Sequence, residues 1–399
     1  MTRPGASPPW KRAVLVLFAV AAGTNVPTPL LLVYKDALHL SAETLTALFG
    51  CYALGLVPSL LASGPVSDRF GRRAVVLPFV VMSAAASLLF VVAAHSIPLL
   101  FVARFLQGVV SGAVFTVGTA WVGELSHGDG AGARRAAAAQ SAGFSLGPLT
   151  SGLLGQYGPA PTTVPYLVHV VLIGVGLLAS RGLPETVTGA LEERSTRDPL
   201  LRKGDGWTFV TVAAPVAVCV YAFPSVVISA LPVLVDLPRS SAVALTGVLA
   251  GLTLGASTLA ASLQKRLRRW TPTVAATCGA LGYATALVAA REDEVGLLVP
   301  GALLLGAGGG LALASGLALV SELALPSRRG ALTGVFFACA YLGFAAPFAT
   351  AVAARHGGTT PPLAVASGLS AALAVRLLVR LRTGGGRDAS QAAPSTRTG

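Results

Sequence analysis

The chain alternates long apolar runs with short polar segments. A membrane-spanning helix needs about 20 apolar residues, and twelve runs reach about that length. The predicted spans are 13–34, 42–63, 74–94, 97–122, 136–157, 162–180, 208–234, 240–263, 272–290, 295–320, 330–354 and 361–379. The pattern predicts an all-α membrane protein whose two termini lie on the same side of the membrane.

The longest polar segment divides the predicted spans into two groups of six. It mixes both charge signs with prolines and glycines, which is typical of a linker. We therefore predict an N-terminal six-helix bundle at 13–180, a linker at 181–207 and a C-terminal six-helix bundle at 208–382. Residues 1–12 precede the first bundle, and residues 383–399, rich in Gly, Ser, Thr and Ala, are predicted to be a disordered tail.

Composition supports a membrane location over a soluble one. The chain is 54% hydrophobic and 11% charged, with a mean hydropathy of +0.73, which predicts an integral membrane protein in contact with the lipid bilayer. The net charge of +13 is carried by short basic clusters between apolar runs. We therefore expect no nucleic-acid partner.

The basic residues also predict the orientation of the chain. Polar segments on the side of the termini hold 24 Lys and Arg residues, and those on the opposite side hold 4. Because Lys and Arg are concentrated in the cytoplasmic loops of membrane proteins, both termini are predicted to lie in the cytoplasm. The protein is then a multi-pass protein of the cytoplasmic (inner) membrane.

The two halves of the chain share landmarks at a nearly constant offset of 197 to 199 residues. The pairs are Trp10 and Trp207, Pro27 and Pro224, Glu124 and Glu322, and Pro148 and Pro347. A repeat of six spans is typical of secondary transporters built from two related bundles.

A short segment between spans two and three has the strongest functional pattern. It contains Gly64, Asp68, Arg69, Gly71, Arg72 and Arg73 at the spacing G-x-x-x-D-R-x-G-R-R, and we call residues 64–73 the signature segment. Its glycines allow close helix approach and a turn, its aspartate can face a positive helix N-terminus, and its arginines mark the inner surface. The spacing resembles the signature loop of the major facilitator superfamily of secondary transporters.

The resemblance implies two bundles that rock around a central cavity. It also implies that Asp68 holds the cytoplasmic gate shut, paired with an arginine of its own loop and with the N-terminal end of span eleven. The corresponding segment 265–269 of the second half has neither aspartate nor glycine, so this lock is expected in the first half alone. Glu124 and Glu322, which close spans four and ten, are further gating candidates.

Spans four and five carry two more motifs similar to those of the family. Arg104, Gln107 and Ser111 share one face of span four, and a buried arginine there should face a cavity or a partner unless it extends to the membrane surface. Span five reads G-x-x-x-G-P-x-x-S-G from Gly143 through Gly147 and Pro148. This resembles a motif associated with exporters, so Gly143, Gly147 and Pro148 are further gating candidates, although close helix packing explains the same small residues.

Prolines near the middle of spans one and seven predict the substrate site. Pro27 and Pro29 should release the carbonyl groups of Gly23 and Asn25 from helical hydrogen bonds. Such groups need a cavity or polar partners inside a membrane. The predicted substrate contacts are therefore Thr24, Asn25, Pro27, Tyr221 and Pro224, with Arg104, Gln107 and Ser111 of span four. The alternative is that the prolines only shape the bundle.

Proton coupling is left open by the sequence. His169 lies well inside span six, where it either titrates during transport or packs as a neutral residue. Many proton-coupled exporters of the family carry an acidic residue in span one or another core helix, and none is present here. This departure argues against proton antiport and against a cationic drug as substrate.

The residues show no set of catalytic groups, no metal-ligand cluster and no nucleotide-binding loop. We therefore expect no enzyme activity and no cofactor. The preferred interpretation is a monomeric secondary active transporter that exports a small organic solute by alternating access. Uptake or facilitated diffusion of a neutral metabolite is the main alternative, and a non-transporting receptor or a membrane enzyme is a remote one.

Overall fold

The computed structural model describes residues 8–126, 131–187, 199–201, 205–325 and 328–391, and the side chains of 330 and 383–391 are outside that description. Within these residues the regular structure is helical, apart from one isolated bridge between Leu201 and Ala324. Most of the predicted linker and the end of the predicted tail lie outside the described residues.

Each predicted span coincides with a helical segment of the described chain. These segments are α1 (Pro9–Leu38), α2 (Ala42–Phe70), α3 (Arg72–His95), α4 (Ile97–Glu124), α5 (Ala131–Tyr157), α6 (Val164–Ser180), α7 (Gly206–Leu234), α8 (Ala242–Ala261), α9 (Gln264–Glu292), α10 (Val295–Leu323), α11 (Ala331–Gly357) and α12 (Thr360–Arg382). Ten of them are long and apolar enough to cross a membrane, whereas α6 is shorter and α5 is less apolar.

Helix α5 has a low hydropathy because small residues line its contacts with two other helices. Gly143 and Gly147 face α1, where a Cβ atom at Gly143 would lie 2.6 Å from the Cβ of Ala21. Gly152 faces α8, and Gly155 faces Leu30 of α1. Glycine lets helix backbones approach closely where a larger side chain would separate them.

The hydrophobic core is divided between the halves of the chain. Two clusters of buried residues lie within 13–183, and two others lie within 209–377. A smaller cluster joins the halves through Phe49, Ile228 and Ala250.

The outward faces of the helices are apolar. Leu54, Leu259 and Leu369 have exposed fractions of 68%, 74% and 68%, and many other large apolar side chains are exposed beside them. A soluble protein rarely exposes so many. Lipid is the solvent that suits this surface, so the chain is a multi-pass membrane protein.

The halves meet mainly at one end of the helices. We call the end at which α1 begins the near end and the end at which it finishes the far end. Helix α5 packs against α8, and α2 packs against the last part of α11. At the far end the Nε atom of Arg355 lies 3.9 Å from a carboxylate oxygen of Glu43. The side-chain oxygen of Gln156 accepts a hydrogen bond from the backbone N–H of Val243 at 2.9 Å.

Two helices end furthest beyond their predicted boundaries. Helix α2 continues to Phe70 instead of ending at 63, so most of the signature segment is helical and the turn is confined to Gly71. Gly71 has φ 100°, a conformation in which a residue without a Cβ atom is not strained. The helix of span twelve continues to Gln391, past the predicted boundary at 382.

Candidate functional site

Helix α1 is broken at its middle. Its first part ends at Thr24 and its second begins at Pro27. The backbone N–H of Thr28 donates to the carbonyl oxygen of Asn25 at 3.1 Å. Pro29 has no N–H group with which to make the helical bond to this carbonyl, so a turn at the break supplies the Thr28 N–H in its place.

Side chains of α4 bond the carbonyl groups at the break. The Nε2 of Gln107 donates to the carbonyl oxygen of Gly23 at 2.6 Å, and the Nη1 of Arg104 donates to that of Thr24 at 2.9 Å. Nη1 also donates to the Oε1 of Gln107 at 2.6 Å. The hydroxyl groups of Thr24 and Ser111 are 3.2 Å apart. One face of α4 thus supplies the partners that a broken membrane helix needs.

Arg104 is held inside the bundle. Its residue surface is 2% exposed, so it does not extend to the membrane surface. Its guanidinium carbon lies 5.3 Å from the ring centre of Phe49 and 5.0 Å from that of Tyr52. These distances allow cation–π attraction. The Nε atom is buried and has no hydrogen-bond partner in the described part of the protein.

A cavity of about 490 Å³ lies beside this cluster, between the halves. The first half contributes Thr24, Asn25 and Arg104 to its wall, and the second half contributes Tyr221 and Pro224. Its other wall residues are Phe49, Tyr52, Leu56, Leu60, Phe115, Thr116, Thr119, Gln140, Phe144, Ser225, Ile228, Leu254, Phe337, Tyr341 and Phe344. Since Leu60, Thr119 and Gln140 belong to the near halves of their helices, the cavity extends from the break toward the near end.

The wall from the second half is aromatic. Tyr221 stacks on Tyr341 with ring centres 5.0 Å apart and on Phe344 at 4.8 Å. Tyr221 follows Thr24 by 197 residues, so equivalent positions of the two halves face the same cavity. The solute-sized volume and the mixture of aromatic and polar groups are typical of a ligand pocket.

Pro224 does not break α7. A π-helical segment, Val226–Ala230, follows Pro224 and the helix continues. A wide turn of this kind is a common way for a helix to tolerate a missing N–H donor. In α1 both Pro27 and Pro29 lack the N–H group, and the helix separates into two parts.

Sequence reasoning missed most of the cavity wall. Tyr52, Tyr341 and Phe344 are aromatic residues in apolar runs, and Gln140 follows a run of alanines. Nothing in an apolar run distinguishes an aromatic residue that lines a cavity from one that packs in a core. Only the contact between helices distant in sequence reveals these positions.

His169 lies outside the cavity wall and is 3% exposed. Its Nδ1 is 2.7 Å from the hydroxyl oxygen of Ser87, and its Nε2 is 3.1 Å from the carbonyl oxygen of Ala19. A neutral ring that donates from Nε2 and accepts at Nδ1 satisfies both bonds. The ring also fills the space beside Gly23. This geometry suits a packing residue near the break.

The signature segment is part of an ionic network at the near end. Arg72 Nη1 lies 2.5 Å from a carboxylate oxygen of Asp68, and its Nη2 lies 2.9 Å from one of Glu124. The hydroxyl group of Thr186 donates to the other oxygen of Glu124. The bonds shown for Asp68 are therefore with its own loop, and no hydrogen bond or ion pair joins it to α11 among the described side chains.

Glu185, and not Asp68, faces a helix N-terminus. Its carboxylate accepts hydrogen bonds from the backbone N–H groups of Arg72 and Arg73 at 2.8 and 3.0 Å, at the start of α3. A Cβ atom at Gly71 would lie 2.5 Å from the Glu185 carboxylate. Burial raises the pKa of Glu185, but hydrogen bonds from four backbone N–H groups outweigh it, so the pKa is lowered. Sequence reasoning missed this residue.

The remaining gating candidates lie away from the cavity. Gly64 and Arg69 are in the last turns of α2, and Glu322 is in the last turn of α10. Gly143 and Gly147 contact α1, whereas the carbonyl oxygen of Pro148 lies close to Gly247 of α8. No group of three His, Cys, Asp or Glu side chains that could hold a metal ion occurs in the described residues.

A family model described as Major Facilitator Superfamily matches residues 13–293. No curated protein matches the chain.

Solved transporter structures share the fold. One is a mutant of the peptide transporter POT in complex with sulfate, which is 13% identical with a TM-score of 0.80 and 96% of both chains covered. Another is a POT family transporter in complex with a thioalcohol-conjugated peptide, 11% identical with a TM-score of 0.76 over 94% of this chain and 96% of that one. A D-xylose–proton symporter is 16% identical, with a TM-score of 0.68 over 92% of this chain and 96% of that one.

Proposed function

Because the chain belongs to the major facilitator superfamily, we propose that it is a secondary active transporter that exports a small organic solute from the cytoplasm by alternating access. Membership of this family identifies the chain as a transporter and not an enzyme. In the proposal it works as a monomer in the cytoplasmic membrane, with both termini in the cytoplasm.

One observation carries the proposal: a solute-sized cavity lies at the break of α1 and is lined by both halves. Asn25 contributes a side chain that has no hydrogen-bond partner in the described residues, and Tyr221 faces it from the other half. A site at the interface of repeats, beside discontinuous helices, is the arrangement that transporters use for alternating access.

The contacts between the halves support a defined state. They are concentrated at the far end, while the cavity extends toward the near end. If the near end is cytoplasmic, as the 24 to 4 distribution of basic residues favours, this is an inward-facing state. Rocking of the halves about the α5–α8 contact would then close the cytoplasmic end and open the other.

Export is the preferred direction because of the glycine and proline pattern of α5. That pattern also has a packing role, since Gly143 and Gly147 contact α1. Uptake or facilitated diffusion of a neutral metabolite is the second candidate. It is favoured by the cavity wall, in which no Asp, Glu or His side chain is found among the described residues.

The test is a solute screen with the full chain in proteoliposomes that contain a pH-sensitive dye. We expect saturable movement of at least one small organic solute that protein-free liposomes do not show. Asn25→Ala and Tyr221→Phe should change the KM for that solute while the amount of reconstituted protein stays constant. The dye reports whether protons move with the solute.

Two outcomes would contradict the proposal. If folded protein moves no solute in the screen, the transport function is wrong for this chain. If an accepted solute has the same kinetics in both variants and in the parent, the cavity is not its binding site. Net movement into inside-out vesicles supports export, and movement restricted to the opposite direction supports the second candidate.

A further inference from the structure

We propose that the transported solute carries a carboxylate group and that Arg104 binds it. This inference rests on the proposed transport function and defines the chemical class of its substrate. The carboxylate is expected to be attached to a flat apolar or aromatic body.

The guanidinium group of Arg104 has hydrogen-bond donors that the protein does not use. It has five N–H donors. The two on Nη1 are directed to the carbonyl oxygen of Thr24 and the side-chain oxygen of Gln107. Nε and Nη2 donate to no protein group among the described residues. The edge formed by Nε and Nη2 is one that a carboxylate meets with two parallel hydrogen bonds.

The charge of Arg104 is not compensated by a carboxylate among the described residues. Arg104 is in no ion pair of the described residues, and the cavity wall holds no carboxylate. An isolated charge is costly to bury, and buried charges are therefore normally paired. Here the arginine that lacks an anion is one of the residues that line the cavity.

Arg104 is held in place before a solute arrives. Gln107, which accepts from Arg104, itself donates to the carbonyl oxygen of Gly23. Phe49 and Tyr52 contact the guanidinium group. A charged group that is fixed in advance loses little freedom on binding, which favours affinity.

The aromatic part of the cavity wall suits the rest of the solute. The second half contributes the stacked rings of Tyr221, Tyr341 and Phe344 to the cavity wall. Such a surface accommodates a flat apolar body and leaves the charged group to the arginine. A cation of the same shape would be repelled by Arg104 and would find no carboxylate on the wall.

The experiment compares probes that differ only in charge. Thermal stabilisation of the purified full chain is measured with arylalkanoates of several chain lengths, the matching amides and the matching amines. We expect at least one carboxylate to bind about tenfold to a hundredfold more tightly than its amide, and the amines not to bind. Stabilisation by amines, or equal binding of carboxylates and amides, would overturn the proposal.

Variants assign the effect to this residue. Arg104→Gln should remove the preference for carboxylate over amide, and Arg104→Lys should retain part of it because lysine keeps the charge without the paired donors. Arg291→Gln, which removes an exposed cation, is the control and should keep the preference. If folded Arg104→Gln keeps the preference for carboxylate over amide, Arg104 does not bind the carboxylate and the proposal is wrong.

The same probes separate this inference from the proposed function. If the protein transports neutral or cationic solutes but no carboxylates, the transport function stands and the proposed anion site is wrong. If the protein binds carboxylates but transports no solute, the anion site stands and the proposed transport function is wrong. If neither arginine variant folds, the comparison of probes on the parent protein still decides the question.

Discussion

Gly152 of α5 lies directly against Gly247 of α8. A Cβ atom at Gly152 would be 2.8 Å from the Cα atom of Gly247, and one at Gly247 would be 2.5 Å from the carbonyl oxygen of Pro148. These helices belong to different halves, so the backbones of the two halves touch here without intervening side chains. Gly152 and Pro148 belong to the small-residue motif that resembles one of exporters, so this motif forms the contact.

Gly247→Val should therefore destabilise the protein and reduce transport. The added side chain meets backbone atoms that cannot move aside, and overpacking of this kind costs about 1–3 kcal/mol. The measurement is the apparent midpoint of thermal unfolding in detergent, together with solute flux in proteoliposomes.

Gly174→Val is the matched control. Gly174 is in α6, and a Cβ atom there would have no neighbouring atom within 4 Å. If both variants unfold at the same temperature and transport equally, the α5–α8 contact is not as close as the structure indicates.

Gly71 and Arg268 occupy equivalent positions, 197 residues apart. Both have positive φ, 100° and 49°. Glycine adopts this conformation freely, whereas arginine is strained in it. Arg268→Gly should therefore stabilise the protein by about 1 kcal/mol, measured as a rise in the unfolding midpoint.

Arg266→Gly provides the comparison for Arg268→Gly. Arg266 lies in a short helix, Gln264–Leu267, where glycine is unfavourable by about 0.5–1 kcal/mol. The two substitutions remove the same charge and should shift stability in opposite directions. A fall in stability for both would show that the backbone at Arg268 is not strained.

Glu185 should make stability depend on acidic pH. Its pKa is lower in the folded protein than its ordinary value of 4.5, so its hydrogen bonds stabilise the fold above that value. This stabilisation is lost as the pH falls through the lowered folded pKa. Glu185→Gln should lower the unfolding midpoint near neutral pH, and the difference from the parent should shrink below about pH 4.5.

The control for Glu185 is Glu292→Gln. Glu292 is the exposed last residue of α9 and makes no hydrogen bond or ion pair with the described side chains. Its variant should follow the pH profile of the parent protein. A Glu185→Gln difference that is constant from acidic to neutral pH would show that the carboxylate charge is not what stabilises the start of α3.

Asp68→Asn should slow transport while folding and solute binding persist. Arg72 keeps its bond to Glu124, so the near end of α2 and α3 stays connected. If Asp68 stabilises the state with a closed cytoplasmic end, its replacement removes a charge-assisted bond worth roughly 1.5–3 kcal/mol. The population ratio of the closed and open states then changes by about tenfold to a hundredfold. Labelling of a cysteine at position 330 should become faster.

Asp36→Asn is the control for Asp68→Asn, since Asp36 is exposed at the far end of α1. It should transport at the parental rate. If Asp68→Asn also transports at that rate with unchanged labelling, the proposed lock in the signature segment does not exist. The contacts shown for Asp68 would then serve only to hold its own loop.

Much of the fold could be predicted because the membrane imposes a strict rule on the sequence. Every span must be apolar over about 20 residues and must bond its own backbone, so the twelve runs indicated an all-α membrane protein, and this is confirmed. The family was predicted from the signature segment and is also confirmed. Helix boundaries were less accurate, because the helix of α2 continues through Gly64 to Phe70.

The site was predictable only in part. Pro27 pointed to the break in α1, and the spacing of Arg104, Gln107 and Ser111 placed them on one face of α4. Their contact with the broken helix required the packing of α4 on α1, which no local pattern encodes. Glu185 was missed because a carboxylate in a polar segment looks like any solvated charge until a helix N-terminus is brought beside it.

The sequence by itself determined which segments enter the membrane, and it marked the prolines and the arginine of α4 that need special partners there. These properties depend on the local cost of exposing backbone or charge to lipid. Tertiary structure alone decided what those groups meet: that Gly152 touches Gly247 across the halves, and that Tyr341 and Arg104 share one cavity. Such contacts join residues far apart in the chain, and their geometry is set by the packing of whole helices.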